Sequence, residues 1–293
     1  MRALVIGASG QVGSALVASL HERGHDVVAA ARTPQSDILR LDLLDTVATA
    51  RLIGESEADW VFCPAGLTHV DYCEEHRDEA MRVNRDAPAL AARAAARHGS
   101  GFVYYSSEYV FDGADGPYAE SDWTHPISVY GESKLAGERV VQEGNPRAVI
   151  VRTTVVYGPE PQGKNFVYQL VKRARNGERM RVPGDQRSSP TYNADLASAS
   201  VELAERGRVG IFHVAGPAIL DRFAFARLVC DVFGLDPRLL EAVTTAELDQ
   251  RARRPLQAGL RIDRVRALVD APLRAPAEGL RAMREALVVV DTP

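Results

Sequence analysis

Cysteine is scarce in this chain and odd in number: Cys63, Cys73 and Cys230 are the only three in 293 residues. No two of them form a Cys-x-x-Cys pair, so neither a disulfide framework nor a zinc knuckle is indicated. The seven histidines never form His-Glu-x-x-His. His21 and His25 are four apart, but Gly24 lies between them at a helix end, and surface histidines rather than a metal site are expected there. No apolar run approaches the ~18 residues of a membrane span, and the opening run is too short for a signal peptide, so a cytoplasmic protein is expected. A net charge of −4 gives no global pull toward nucleic acid or an anionic membrane. The densest basic cluster, Arg251-Ala-Arg253-Arg254, is local and reads either as a solvated helix end or as an anion site. Long linkers, internal repeats and low-complexity segments are also missing.

What is present fits an ordinary globular chain, 46% hydrophobic and 25% charged. Ala3-Leu-Val-Ile6 reads as a strand. Gly7-Ala-Ser-Gly10-Gln-Val-Gly13 follows at once, and Ser14–Leu20 then reads as a helix. Strand, glycine turn and helix in that order are the context of a dinucleotide site, with a tight turn and a helix N-terminus facing the pyrophosphate. A turn with structural duties alone is the alternative. Strand and helix signals go on alternating to about residue 155, through Val27–Ala31, Ile38–Leu41, Asp45–Ser56, Trp60–Cys63, Met81–His98, Gly101–Ser106, Ile127–Glu143 and Ala148–Thr154. The fold class expected is α/β, a Rossmann-type doubly wound parallel sheet with a smaller C-terminal α/β substrate lobe. The boundaries expected are 1–155 for the dinucleotide domain and 156–293 for the lobe, intimately packed with a cleft between them. Ligands of such sheets sit beyond the carboxyl ends of the strands.

Tyr130-Gly-Glu-Ser-Lys134 places a phenol and an ammonium on one helix face. A tyrosine ionises near pH ~10, and a nearby lysine favours the phenolate and moves that value toward neutrality. The spacing alone also suits an amphipathic helix with a solvated lysine. Ser107, at the end of the strand that precedes the helix, is placed to polarise a substrate carbonyl, with Glu108 and Tyr109 beside it. The loop residues Gly7, Ser9, Gly10, Gln11, Val12 and Gly13 are expected to hold the cofactor, with the backbone of Pro64, Ala65 and Gly66 beside the nicotinamide ribose. The second strand ends Ala30-Ala31-Arg32-Thr33 with no acid until Asp37. An arginine there suits a 2′-phosphate, so NADPH is expected with NADH as the alternative, unless Arg32 is merely solvated.

These residues carry a resemblance to the extended short-chain dehydrogenase/reductase family, whose glycine loop, Ser/Thr and Tyr-x-x-x-Lys set is similar to Gly7, Gly10, Gly13, Ser107, Tyr130 and Lys134. Within it, Tyr105–Gly113, Val129–Glu138, Arg152–Tyr157, Ser189–Tyr192 and Arg254-Pro255 resemble the dTDP-4-dehydrorhamnose reductase group, over most of the chain. The resemblance implies catalysis by Ser107, Tyr130, Lys134 and Glu108, with Lys134 and Tyr130 also touching the cofactor. It further implies cofactor contacts at Asp42 and Leu43, and substrate contacts at Tyr109, Arg187 and Arg254. Asn84 resembles an asparagine near the active site, and a helix-internal structural role is the other reading. No metal is implied, and a homodimer is compatible with the likeness.

Three departures stand out. Ser107-Glu108 replaces Thr-Asp, Val155 occupies a position that is often tryptophan, and Arg254-Pro-Leu-Gln-Ala-Gly replaces Arg-Pro-Ala-Asn-Ser. The implied function is NADPH-dependent reduction of the keto group of a nucleotide-diphosphate 4-keto-6-deoxy sugar, in deoxysugar biosynthesis. Two alternatives remain. One is a nucleotide-sugar epimerase or dehydratase with tightly held cofactor, against which stands Tyr109 in the place of a second acid. The other is a non-catalytic NADP-binding subunit resembling the regulatory subunit of methionine adenosyltransferase, against which stands the intact Ser107, Tyr130 and Lys134 set.

Overall fold

Apolar runs buried on both faces build the centre of the molecule. A computed structural model describes residues 1–33 and 37–290. In it β1 (Arg2–Ile6), β2 (Asp26–Ala31), β3 (Leu39–Arg40), β4 (Trp60–Cys63), β5 (Gly101–Ser107) and β6 (Ala148–Thr153) join one sheet. Every residue of β4, β5 and β6 is buried, as continuous hydrophobic strands of a parallel sheet must be. All pairings in this sheet are parallel, and its order is Gly210–His213, β6, β5, β4, β1, β2, β3. The order reverses between β1 and β4, which opens a crevice at their carboxyl ends.

The seventh strand, Gly210–His213, comes from beyond residue 155. Helix Asn193–Glu205 packs on helix Gln11–Glu22, and the chain then re-enters the sheet beside β6. The nucleotide-binding layer therefore draws on residues on both sides of the boundary at 155, because a right-handed crossover returns the chain to the open edge at β6. The lobe proper is built from short strand pairs, Met180–Pro183 with Leu240–Val243 and Arg187–Ser188 with Leu220–Asp221. Helices Phe166–Arg175 and Arg222–Phe233 cover a separate core of Tyr157, Leu170, Val182, Phe225 and Met283.

The expected single helix Met81–His98 is interrupted. Helix Arg77–Met81 runs through a π-turn at Arg82–Asp86 into helix Ala87–Arg97. The π-turn carries Asn84 as its buried residue, and such turns are common at functional sites. Among the described residues no helix is long and apolar enough to cross a membrane.

Candidate active site

The glycine loop is shaped by contacts that exclude side chains. Gly7 has φ 102°, and a Cβ there would lie 2.8 Å from the Ala65 backbone nitrogen. A Cβ on Gly13 would lie 2.1 Å from the Gly7 carbonyl oxygen, so helix and strand touch through bare backbone. Gly10 differs: a Cβ would meet only the Gly7 oxygen at 3.4 Å and otherwise fill open space. Gly10 is also the N-cap of helix Gln11–Glu22 and supplies no side-chain cap. The first N–H groups of that helix are therefore left for an anion, the cradle a dinucleotide pyrophosphate fits. Ser9 and Val12 flank the opening, half-buried. Gln11 Nε2 donates to the Val156 carbonyl at 3.1 Å, tying the start of the lobe to the loop.

At the other end of the crevice Arg32 is exposed just past β2. Arg40, which the sequence alone did not single out, is exposed on the neighbouring edge strand, in register with Ala31. Asp42 is exposed and accepts from Leu44 N at 3.0 Å in a local turn. The Leu43 side chain is buried in the core. Ala65 N donates to the Ile6 carbonyl at 3.2 Å, which brings Pro64–Gly66 over the end of β1.

The reactive side chains meet at the end of β5. Ser107 caps the short turn Glu108–Val110, and its hydroxyl donates to Glu108 Oε2 at 2.8 Å. Helix Val129–Gly144 begins at Ser128, whose hydroxyl accepts from Gly131 N at 3.2 Å, and it brings Tyr130 and Lys134 to the same point. Both are buried. The Lys134 ammonium lies 4.2 Å from the centre of the Tyr104 ring, and a Cβ on Gly66 would be 3.7 Å from it. Lys134 thus looks onto the loop that the nicotinamide ribose is expected to follow.

The electrostatics differ from the sequence expectation. Burial, then the Glu108 carboxylate, push the Tyr130 phenol above its ordinary value, and the neighbouring Ser107 hydroxyl only partly opposes them. Burial also lowers Lys134 itself, to about 8. The Cys63 thiol is no counter-charge for it, since burial pushes that thiol up to about 12. At neutral pH the phenol keeps its proton. Burial likewise raises the Glu108 carboxyl, against the pull of the Thr154 and Ser107 hydroxyls.

Further residues join the site: Asn84, Tyr109, Arg187 and Arg254 were expected from the resemblance, whereas Asp71 and Glu74 carry no sequence signal of their own. Asn84 is fully buried, accepts from Leu67 N at 2.9 Å and donates to the Leu67 carbonyl at 2.9 Å and to Ser133 Oγ at 3.0 Å. It pins the Pro64–Leu67 loop to the helix of Tyr130, a positioning contact. Asp71 holds Arg254 Nη2 at 2.7 Å and Ala252 N at 3.0 Å, and Glu74 accepts from Val129 N at 2.8 Å. Helix Val70–Glu75 therefore bridges the loop at 252–254 and the start of the Tyr130 helix. Tyr109 stacks edge-on against Tyr130, with ring centres 5.3 Å apart. Arg187 is exposed at the lobe's rim, with its backbone bonded to Leu256 and Ala258. Among the described residues no group of three or more His, Cys, Asp or Glu is arranged to hold a metal.

A parallel sheet with a glycine loop after its first strand, and a Tyr-Lys helix after its fifth, defines an extended short-chain dehydrogenase/reductase. More narrowly, the chain belongs to the family described as the RmlD substrate binding domain, which matches residues 1–289. It is 37% identical over 265 residues to a dTDP-4-dehydrorhamnose reductase of Mycobacterium tuberculosis, covering 88% of this chain and 84% of that one. With a protein of the same description from Sinorhizobium fredii it shares 34% over 305 residues, covering 99% and 98% of the two chains. The crystal structure of a dTDP-4-dehydrorhamnose reductase from Bacillus anthracis in complex with NADP superposes with a TM-score of 0.90 at 29% identity, covering 97% of this chain and 99% of that one.

Proposed function

We propose that this protein reduces the 4-keto group of a nucleotide-diphosphate 4-keto-6-deoxy sugar at the expense of NADPH. The observation that carries the reading is that the buried Tyr130 and Lys134 helix meets the buried Ser107 at the end of β5, in a sheet whose first strand ends in the bare-backbone glycine loop. NADPH, when bound, supplies the hydride that the carbonyl carbon takes. Ser107 holds the carbonyl oxygen, and Tyr130 donates its phenolic proton to that oxygen as charge develops on it. A donor must be protonated at working pH, and burial keeps it so. Lys134, lowered to about 8 by burial, holds the ribose and stands ready to pass a proton back to Tyr130. The Ser107 hydroxyl gives its one proton to Glu108 Oε2 at 2.8 Å, and it turns that proton to the carbonyl oxygen when the substrate binds. The N–H groups at Gly10–Gly13 hold the pyrophosphate. Tyr109, Arg187 and Arg254 line the way to the substrate lobe. This reading places the enzyme in the cytoplasm, where NADPH is regenerated, and allows a homodimer, which light scattering on the purified chain would test.

Reaction type is tested by stoichiometry. With dTDP-4-keto-6-deoxyglucose-type substrates, one NADPH should disappear for each product formed, and the product should carry a hydroxyl where the ketone stood. Conversion of sugar without net loss of NADPH would instead make the protein an epimerase or dehydratase. Binding of NADPH with no conversion across a broad panel of sugar nucleotides would make it a non-catalytic subunit.

Cofactor choice is tested at Arg32. Arg32→Asp sets a carboxylate against the 2′-phosphate and removes a charge-assisted pair, a loss on the order of 1.5–3 kcal/mol. Fluorescence titration should show NADPH binding about 10- to 100-fold weaker, with NADH nearly unchanged. An unaltered ratio of the two affinities would make Arg32 a solvated surface residue.

A further inference from the structure

Two arginines stand near the reactive end of the cleft, and among the described residues only Arg254 is paired to a carboxylate, that of Asp71. Arg254 gives Nη2 to Asp71 and Nε to Gln250 at 3.3 Å, while its Nη1 is buried without a hydrogen-bond partner. Its side chain is only 9% exposed. A buried, unpartnered guanidinium N–H is costly unless a ligand satisfies it.

The second arginine is Arg222, the first residue of helix Arg222–Phe233. The acid next to it is occupied, since Asp221 caps that helix by accepting from Ala224 N at 2.7 Å. Asp185, near in the same wall, is taken by Thr245 N and by its hydroxyl at 2.6 Å. Arg222 itself makes no ion pair among the described residues. Its guanidinium lies 4.9 Å from the centre of the Phe166 ring, which fixes its plane. Phe166, Gln186, Arg222, Leu248 and Gln250 line a cavity of about 360 Å³ in the lobe. Gln250, the acceptor of Arg254, ties that cavity to the second guanidinium. Both cations also act on the half-buried Tyr109 phenol, and both Tyr109 and Glu108 act on Arg222. Arg222 borders the lobe cavity directly, and Arg254 is tied to the same cavity through Gln250. Burial lowers the Arg222 guanidinium, as expected for a cation whose counter-ion is not part of the chain.

We infer that Arg222 is a second anion-binding arginine of this cleft, closing with Arg254 on the diphosphate of the sugar nucleotide. The inference rests on the proposed substrate class and adds the residue that reads its charge. The unpaired Arg222 guanidinium and the free Arg254 Nη1 supply a donor group for each of the two phosphates of a diphosphate, and a monophosphate engages only one of them. The Asp71 carboxylate acts through Arg254, holding its fork in place.

Thymidine diphosphate and thymidine monophosphate, titrated by calorimetry into the NADPH-loaded enzyme, separate the possibilities. Wild type should bind the diphosphate more tightly. Arg222→Gln should weaken the diphosphate about 10- to 100-fold, the monophosphate far less, and NADPH not at all. In turnover the same variant should raise KM for the sugar nucleotide with little change in kcat, because a contact made equally in ground and transition states is uniform binding. Arg222→Lys, which keeps the charge and loses the fork, should fall between the two. It carries the test alone if the glutamine variant does not fold. If both variants keep the full preference for diphosphate, Arg222 is not a ligand and the proposed reaction is untouched. If wild type binds neither nucleotide and reduces no keto sugar, the proposed function itself falls, and this inference with it.

Discussion

Tyr130→Phe should lower kcat by about 10²–10⁴-fold, the usual contribution of a positioned general acid, while NADPH binds as before. That is a loss of roughly 3–5 kcal/mol of transition-state stabilisation. The phenylalanine ring keeps the edge-on contact with Tyr109, which has its ring centre 5.3 Å away, so packing is preserved and only the proton is removed. The substrate KM should move little, because a proton transferred in the transition state contributes little to ground-state binding. Single-turnover absorbance of NADPH, with substrate saturating, reads the step directly. Near-wild-type turnover would take Tyr130 out of the mechanism and pass the donor role to Lys134, which burial brings to about 8 and so within reach of neutral pH. A pH profile of Tyr130→Phe tests that succession: residual activity donated by Lys134 should decline as pH rises past 8.

What the sequence disclosed and what it concealed divide along a physical line. The glycine loop was legible because Gly7 at φ 102° and Gly13 against a carbonyl oxygen admit no other residue. Strands β4 to β6 were legible because burial on both faces writes an unbroken apolar run. Tyr130 and Lys134 were legible because helical periodicity joins positions four apart. Arg222 was not, since a helix-starting arginine next to an aspartate reads as solvated until folding occupies that aspartate as a cap. Nor was the partnership of Asp71 with Arg254, which are 183 residues apart. The sign of the Tyr130 shift was hidden for a related reason. A lysine one turn away is local information, whereas the burial that raises the phenol comes from residues remote in the chain, among them Leu67, Val70, Cys73, Ala80 and Tyr109. The return of Gly210–His213 to the sheet was equally concealed, because a four-residue apolar segment does not say which edge it joins.

Acid should weaken this fold through His213, on that returning strand. The side chain is fully buried, neither ring nitrogen has a hydrogen-bond partner, and the ring stands edge-on to Phe111. Burial first, then the Arg152 guanidinium on the neighbouring strand, lower its pKa from 6.5 to about 3. Asp122 and the nearby peptide groups of Arg261 and Tyr118 pull the other way without restoring it. Arg152 cannot swing clear, since Glu138 holds it at 2.7 Å inside the core. A histidine with a depressed folded pKa binds its proton more readily in the unfolded chain. Stability is therefore unaffected above pH 6.5, falls by about 1.4 kcal/mol per pH unit below it, and levels off near pH 3. The full effect is on the order of 5 kcal/mol, a large part of a typical domain's stability. Asp112, Asp236 and Glu247, whose folded pKa values are lowered, also lose stabilisation in acid, but they are common to wild type and variant and cancel in a comparison. Urea unfolding of wild type and His213→Phe between pH 7 and pH 3.5 should therefore show the variant gaining on wild type steadily as pH falls, whatever their order at pH 7. A difference that stays constant across that range would mean that His213 is solvated or already paired in the folded protein.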